Sequence, residues 1–203
     1  MDVTKGDATR QRILSKGLEL VSREGLTGVS IGRLAERTRL SKSGLYAHFG
    51  SRETLQLELL HHAAELARQE VVEPALLEAK GLPRLRTYFE RLLGWAARSG
   101  LPGGCPFVAA ASEFDDVEGA VRDYVVVTLG EMVAMFEAFI LEAVAQKHLS
   151  QSVNANFLAW HLLGIYSSHH TMQRLMRDPD ADAMAEQAFH TLLSPYLVAA
   201  KHI

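Results

Sequence analysis

The chain has 203 residues, 48% of them hydrophobic and 22% charged, with a net charge of −3 and a single cysteine, Cys105. These values suit a globular protein able to bury a full core, and one cysteine excludes a disulfide framework within the chain, so a cytoplasmic location is expected. The net charge hides an asymmetry: residues 1–52 hold 10 Lys and Arg against 5 Asp and Glu, while residues 53–203 hold 11 against 19. A basic head on an acidic body leaves room for a phosphate-binding surface.

The opening stretch MDVTKGDATRQR lacks the apolar segment of a secretory signal. No uncharged run approaches the ~18 residues of a membrane span, so no membrane association is expected. Periodicity is helical throughout, without internal repeats or alternating strand patterns. The expectation is an all-α protein of about nine helices.

The first helix runs from about Ala8 to Glu24, with Ile13, Leu14, Leu18 and Val21 on one stripe. Gly25 suits the left-handed position after its last turn. Ser30 caps a short second helix that turns Ile31, Leu34 and Ala35 inward. Ser41 caps a third over residues 42–48, and Gly50 ends it. Ser51 caps the fourth helix, which is expected to reach about Leu77, with Glu53 in its first turn. A fifth helix spans about 83–98, a short sixth about 106–113 and a seventh about 117–147. The eighth spans about 152–177, and the ninth about 181–200.

Helices two and three are short, and only a brief turn separates them. That is the helix-turn-helix arrangement, in which the second helix enters the major groove. Helix three has a thin outer face at Ser43, Gly44 and Ala47, where backbone can approach DNA. Lys42 can reach phosphate or guanine, and Tyr46 and His48 can bond phosphate oxygens. Ser51 and Arg52 sit at the positive end of helix four, and Ser30 and Arg33 do the same at helix two. Leu34, Leu40, Leu45 and Phe49 are left to hold the unit together.

Gly25, Val29-Ser30-Ile31, Leu34-Ala35, Leu40-Ser41, Gly44-Leu45-Tyr46, His48-Phe49 and Ser51-Arg52-Glu53-Thr54-Leu55 resemble the DNA-binding head of the TetR family of transcriptional regulators. The resemblance covers roughly residues 8–56. It implies a head at residues 1–52 and a helical ligand-binding and dimerisation body at 53–203. It also implies a homodimer that binds a palindromic double-stranded operator, most simply as a repressor released by a small molecule. By matching position, Ser30, Arg33, Ser41, Lys42, Ser43, Gly44, Tyr46, His48 and Arg52 inherit the DNA-contact role. Arg39 stands where the family often has glycine, and is not assigned a contact.

In the body, the eighth helix is apolar nearly all round, with Phe157, Trp160, Leu162, Tyr166 and Met172. Gly164, Ser167, Ser168 and Thr171 are small enough for close approach. The eighth and ninth helices are therefore the expected homodimer surface. Trp95, Phe107, Phe114, Met132, Phe136, Trp160 and Tyr166, with His161 and His169 among them, are candidates to line a cavity for a largely apolar ligand. At helical spacing such Met and aromatic residues are more often plain core, and His161 can equally be a satisfied core histidine.

Cys105, ahead of Pro106 at a helix start, is a candidate redox or electrophile sensor, or else a small buried residue. Glu113, Asp115, Asp116 and Glu118 form an acidic run, which reads as a solvated helix start or a cation site. No carboxylate stands at zinc-protease spacing to a histidine. The pairs His61-His62 and His169-His170 diverge by about 100° around a helix. No metal, cofactor or catalytic residue is expected, and no Gly-rich phosphate loop or GxSxG motif occurs. A thiol-sensing regulator and a helical enzyme remain as alternatives.

Overall fold

The computed structural model describes residues 5–198. The chain divides into two compact units, Met1–Ala67 with Ala96–Thr128, and Arg68–Trp95 with Leu129–Ile203. In chain order the helices are α1 (Lys5–Glu24), α2 (Ile31–Thr38), α3 (Lys42–Phe49), α4 (Arg52–Ala67), α5 (Glu73–Leu77) and α6 (Leu82–Leu92). There follow α7 (Trp95–Arg98), α8 (Pro106–Glu113), α9 (Ala120–Ala145), α10 (Ala155–Thr171) and α11 (Ala181–Leu193). The described residues form no named strand; a lone antiparallel bridge joins Leu149 and Leu197. The fold is all-α.

The first unit is built on the apolar stripe of α1. Ile13, Leu14, Leu18 and Val21 are buried together with Leu34, Leu45, Phe49, Leu55 and Leu59. Local caps set the head. The Ser30 hydroxyl accepts from Arg33 N–H at 3.3 Å, Ser41 from Gly44 N–H at 3.0 Å and Ser51 from Thr54 N–H at 3.0 Å. Helix α2 closes with a Schellman turn. Arg39 N–H donates to the Glu36 carbonyl and Leu40 N–H to the Ala35 carbonyl, with Arg39 itself left-handed at φ 57°. That conformation costs a non-glycine residue on the order of 1 kcal/mol.

Several helices end earlier, or bend differently, than periodicity suggests. The expected run from Arg52 to Leu77 is interrupted by a π segment, Arg68–Val72. Pro74 has no N–H for the Glu70 carbonyl, and a wider turn accommodates the gap. The expected helix over 83–98 breaks at Leu93 and Gly94, where Gly94 has φ 73°. The new start directs Trp95 inward, and its indole N–H donates to the Tyr166 hydroxyl at 2.9 Å. The expected ninth helix stops at Leu193. Pro195 cannot donate to the Thr191 carbonyl, and the Ser194 hydroxyl bonds it instead at 3.0 Å. The chain then pairs with the segment after α9, Ser150 N–H donating to the Tyr196 carbonyl. The rest of that expected helix, Ala199 and Ala200, lies outside the described residues.

By length and composition α9 is apolar enough to cross a membrane, with a mean hydropathy of 1.8 in its most apolar stretch. Phe136, Phe139, Ile140 and Ala143 of this helix are buried, although only 22% of the stretch is. In the second unit Tyr88 packs edge-on against Phe136 and Phe139, and Phe89 stacks on Phe189. Burial holds the Tyr88 phenol well above its usual range.

Two histidines tie stability to pH. Burial lowers His62 below 6.5, with Glu65 opposing the shift. Burial, with Arg174 and His169 adding to it, lowers His170 below 6.5. A depressed folded-state pKa contributes stability above the unfolded value and loses it as pH falls through the folded one. Melting temperature is therefore expected to fall between about pH 7 and pH 5. Replacing both histidines with glutamine should flatten that slope; an unchanged slope would assign it to other groups.

Candidate nucleic-acid interface

The outer face of α3 is polar and open. Lys42, Ser43, Tyr46, Ala47 and His48 are exposed, while Leu45 and Phe49 on the opposite face are buried. Tyr46 is 56% exposed, which leaves its hydroxyl open to a partner outside the chain. Glycine at position 44 keeps the helix start thin, with only the Ser41 hydroxyl within 4 Å of where a side chain would begin. The buried face also carries the Arg10 guanidinium over the Phe49 ring at 5.3 Å.

The other nominated contacts surround this face and are partly occupied. Ser30 and Ser41 spend acceptor capacity on their caps, and Ser43 bonds Ser41 at 3.1 Å. Arg33 pairs with Glu24 at 2.5 Å. The Arg52 guanidinium donates to the Thr27 carbonyl, which fixes it beside the turn that precedes α2. The structure thus gathers the polar residues of α3 on one open face, while Arg33 and Arg52 enter the site already engaged.

The Gly25–Thr27 turn is held by a residue that sequence patterning leaves among solvated acids. The Glu113 carboxylate accepts from Leu26 N–H at 2.9 Å, from Thr27 N–H at 2.7 Å and from the Thr27 hydroxyl at 2.7 Å. It fills the space a side chain on Gly25 would need, so Gly25 is required both by φ 77° and by the carboxylate. The acidic run is accordingly not a helix start: α9 begins only at Ala120, and Glu113 ends α8. No local signal links residues this far apart in sequence.

The ligand candidates fall in three settings. Phe107 and Phe114 are buried in the first unit, and Trp95, Phe136, Tyr166 and His169 in the second, with Met132 half-buried. The His169 ring bonds Asp182 at 2.6 Å, tying α10 to α11. Trp160 is 66% exposed. His161, half-buried, bonds the Phe157 carbonyl at 2.8 Å and packs on both aromatic rings. Cys105 occupies the N-cap position of α8 as expected, but is only 3% exposed and makes no cap hydrogen bond, which gives a thiol-sensing role no support.

A three-helix head whose third helix, α3, is polar and open defines a helix-turn-helix DNA-binding class. Residues 81–189, more than half of the chain, match the family model described as Tetracyclin repressor-like, C-terminal domain. Residues 13–59 match Bacterial regulatory proteins, tetR family. The chain belongs to the TetR family of regulators. It is 33% identical over 81 residues to the HTH-type transcriptional repressor AcnR of Corynebacterium efficiens, a match spanning 38% of this chain and 43% of that protein. The fold is shared with a TetR-family transcriptional regulator of Cytophaga hutchinsonii, at TM-score 0.85 and 17% identity, covering 98% of this chain and 100% of the other. It is also shared with AibR, solved in complex with isovaleryl coenzyme A and operator DNA, at TM-score 0.71 and 20% identity over 91% and 98%.

Proposed function

We infer that this regulator is a repressor whose homodimer binds a palindromic operator and is released by a small, largely apolar ligand in the body, residues 53–203. The exposed polar face of α3, ahead of a buried apolar one, is the observation that carries the DNA-binding half. The repressor AcnR and the operator complex of AibR support the same direction.

A dimer follows from the reach of one head. A single short recognition helix covers few phosphates, and two heads about one helical turn apart, ~34 Å, read a palindrome. On α10 and the π segment Met172–Met176 that continues it, Phe157, Trp160, Gly164, Ser168, Met172 and Leu175 recur at helical spacing and are exposed, Leu175 at 76%. Exposed apolar area of this kind supports a partner helix pair. A groove of about 270 Å³ lined by Ile165, His169, Met172, Met184 and Ala185 lies on the same α10–α11 face. A ligand that prefers the DNA-incompetent arrangement by ~3 kcal/mol weakens operator binding roughly 150-fold.

A gel-shift titration against the DNA upstream of its own gene is expected to give a complex that weakens steeply with salt. Tyr46→Phe and Arg52→Ala should each weaken it several-fold, the arginine change with a salt slope smaller by about one per head. Unchanged affinity in both variants would remove the contact assignment. Sedimentation tests the dimer: Trp160→Glu should give monomers, and a wild-type monomer at every concentration would overturn the assembly.

A further inference from the structure

The turn between α2 and α3 carries a residue whose placement the fold alone does not require. Its left-handed position, φ 57°, is one that glycine occupies most readily, and it holds Arg39. Arg37, Arg39 and Lys42 are all exposed. None of the three forms an ion pair or a side-chain hydrogen bond with a described residue. Three other head arginines are engaged internally: Arg10 with Glu58 at 2.9 Å, Arg33 with Glu24 at 2.5 Å and Arg52 with the Thr27 carbonyl.

Position supplies the rest. Arg39 lies two residues ahead of Ser41, the N-cap of α3. When the N-terminal residues of a recognition helix meet base edges, the turn just ahead of them runs beside the flanking phosphates. A guanidinium there can take two phosphate oxygens at once. A helix-dipole role is the competing explanation, since Lys147 and Arg177 are also left-handed basic residues just past helix ends. Neither of those precedes a helix that presents Lys, Tyr and His to solvent.

We propose that Arg39 is a DNA-backbone contact, gripping a phosphate beside the groove that receives α3. The proposal rests on the DNA-binding reading above. The test is fluorescence anisotropy of the full-length protein with a labelled random-sequence duplex of ~30 base pairs, about three helical turns, across a salt series. Arg39→Gly and Arg39→Asn remove the charge yet accept the left-handed backbone; Arg39→Lys keeps the charge; Lys42→Ala reports on the head.

Both neutral variants are expected to bind about fivefold or more weakly, with a slope of log affinity against log salt shallower by about 0.9 for each engaged head. Arg39→Lys should keep most of the slope, and Arg39→Gly should melt no lower than wild type. Wild-type affinity and slope in both neutral variants, beside a weakened Lys42→Ala, would overturn the Arg39 contact while leaving the function intact. A lowered melting temperature with an unchanged slope would assign Arg39 to the helix dipole and overturn the contact equally. Absence of duplex binding by wild type would overturn the DNA-binding reading, and the contact with it.

Discussion

Gly103→Ala should lower the melting temperature by roughly 10 °C, a loss of about 3 kcal/mol in a chain of this size. A methyl group on Gly103 would stand 1.4 Å from the Ser22 carbonyl oxygen and 2.4 Å from the Arg23 nitrogen. Both are backbone atoms near the end of α1 and cannot swing aside as a side-chain tip can. The close approach is also used: Gly103 N–H donates to the Ser22 hydroxyl at 3.1 Å, and Ser22 in turn donates to the Glu19 carbonyl at 2.9 Å. Alanine must therefore push the Ser99–Gly104 segment off α1 and break that bond. Gly130→Ala is the matched control. Gly130 lies in α9 with nothing within 4 Å of its added carbon, and alanine there should stabilise by about 0.5–1 kcal/mol through helix propensity. Equal melting temperatures for the two variants would mean that the close contact at Ser22 does not form.

Glu113→Ala is expected to cost about 2 kcal/mol and to release the turn ahead of α2. The carboxylate accepts three hydrogen bonds, two of them from consecutive backbone N–H groups, and charge-assisted bonds of this type are the stronger ones. Thr27 is exposed and can turn to water, but Leu26 N–H is part-buried and would be left without a partner. Glu113→Gln should fall between the two, because one amide oxygen still accepts while the amide NH2 faces donors. Thermal melts give the size of the effect, and amide exchange gives its place. Protection of Leu26 and Thr27 should drop in the alanine variant; protection equal to wild type would show that the carboxylate does not hold the turn. Since the Thr27 carbonyl also accepts from Arg52, the variant should loosen a residue of the proposed DNA face through the residue that the carboxylate holds.

What sequence made legible was local. Ser30, Ser41 and Ser51 cap the helices they were expected to cap, since a cap is decided within four residues. The open face of α3 followed from the same short range: too few apolar residues to bury more than Leu45 and Phe49. Where local rules competed, periodicity misled. Pro74 and Pro195 sit inside apolar patterns that continue past them. One was absorbed by a π segment, and the other ended α11, an outcome that depends on whether a neighbour such as Ser194 can satisfy the freed carbonyl. Gly94 interrupted a pattern that glycine alone would only weaken, because Trp95 gained a buried hydrogen-bond partner on α10. Glu113 was beyond reach for a different reason. Its charge fitted a solvated run, and its partners, Leu26 and Thr27, are brought to it only by the fold.

The two tryptophans occupy opposite surroundings: Trp95 is sealed in the second unit against the Tyr166 hydroxyl, while Trp160 faces solvent on α10. The chain therefore carries its own pair of optical reporters, one blue-emitting and shielded from quenchers, the other red-emitting and open to them. Whatever comes to cover α10 dims the contrast between them, so the proposed subunit pairing would be readable from native fluorescence without any label.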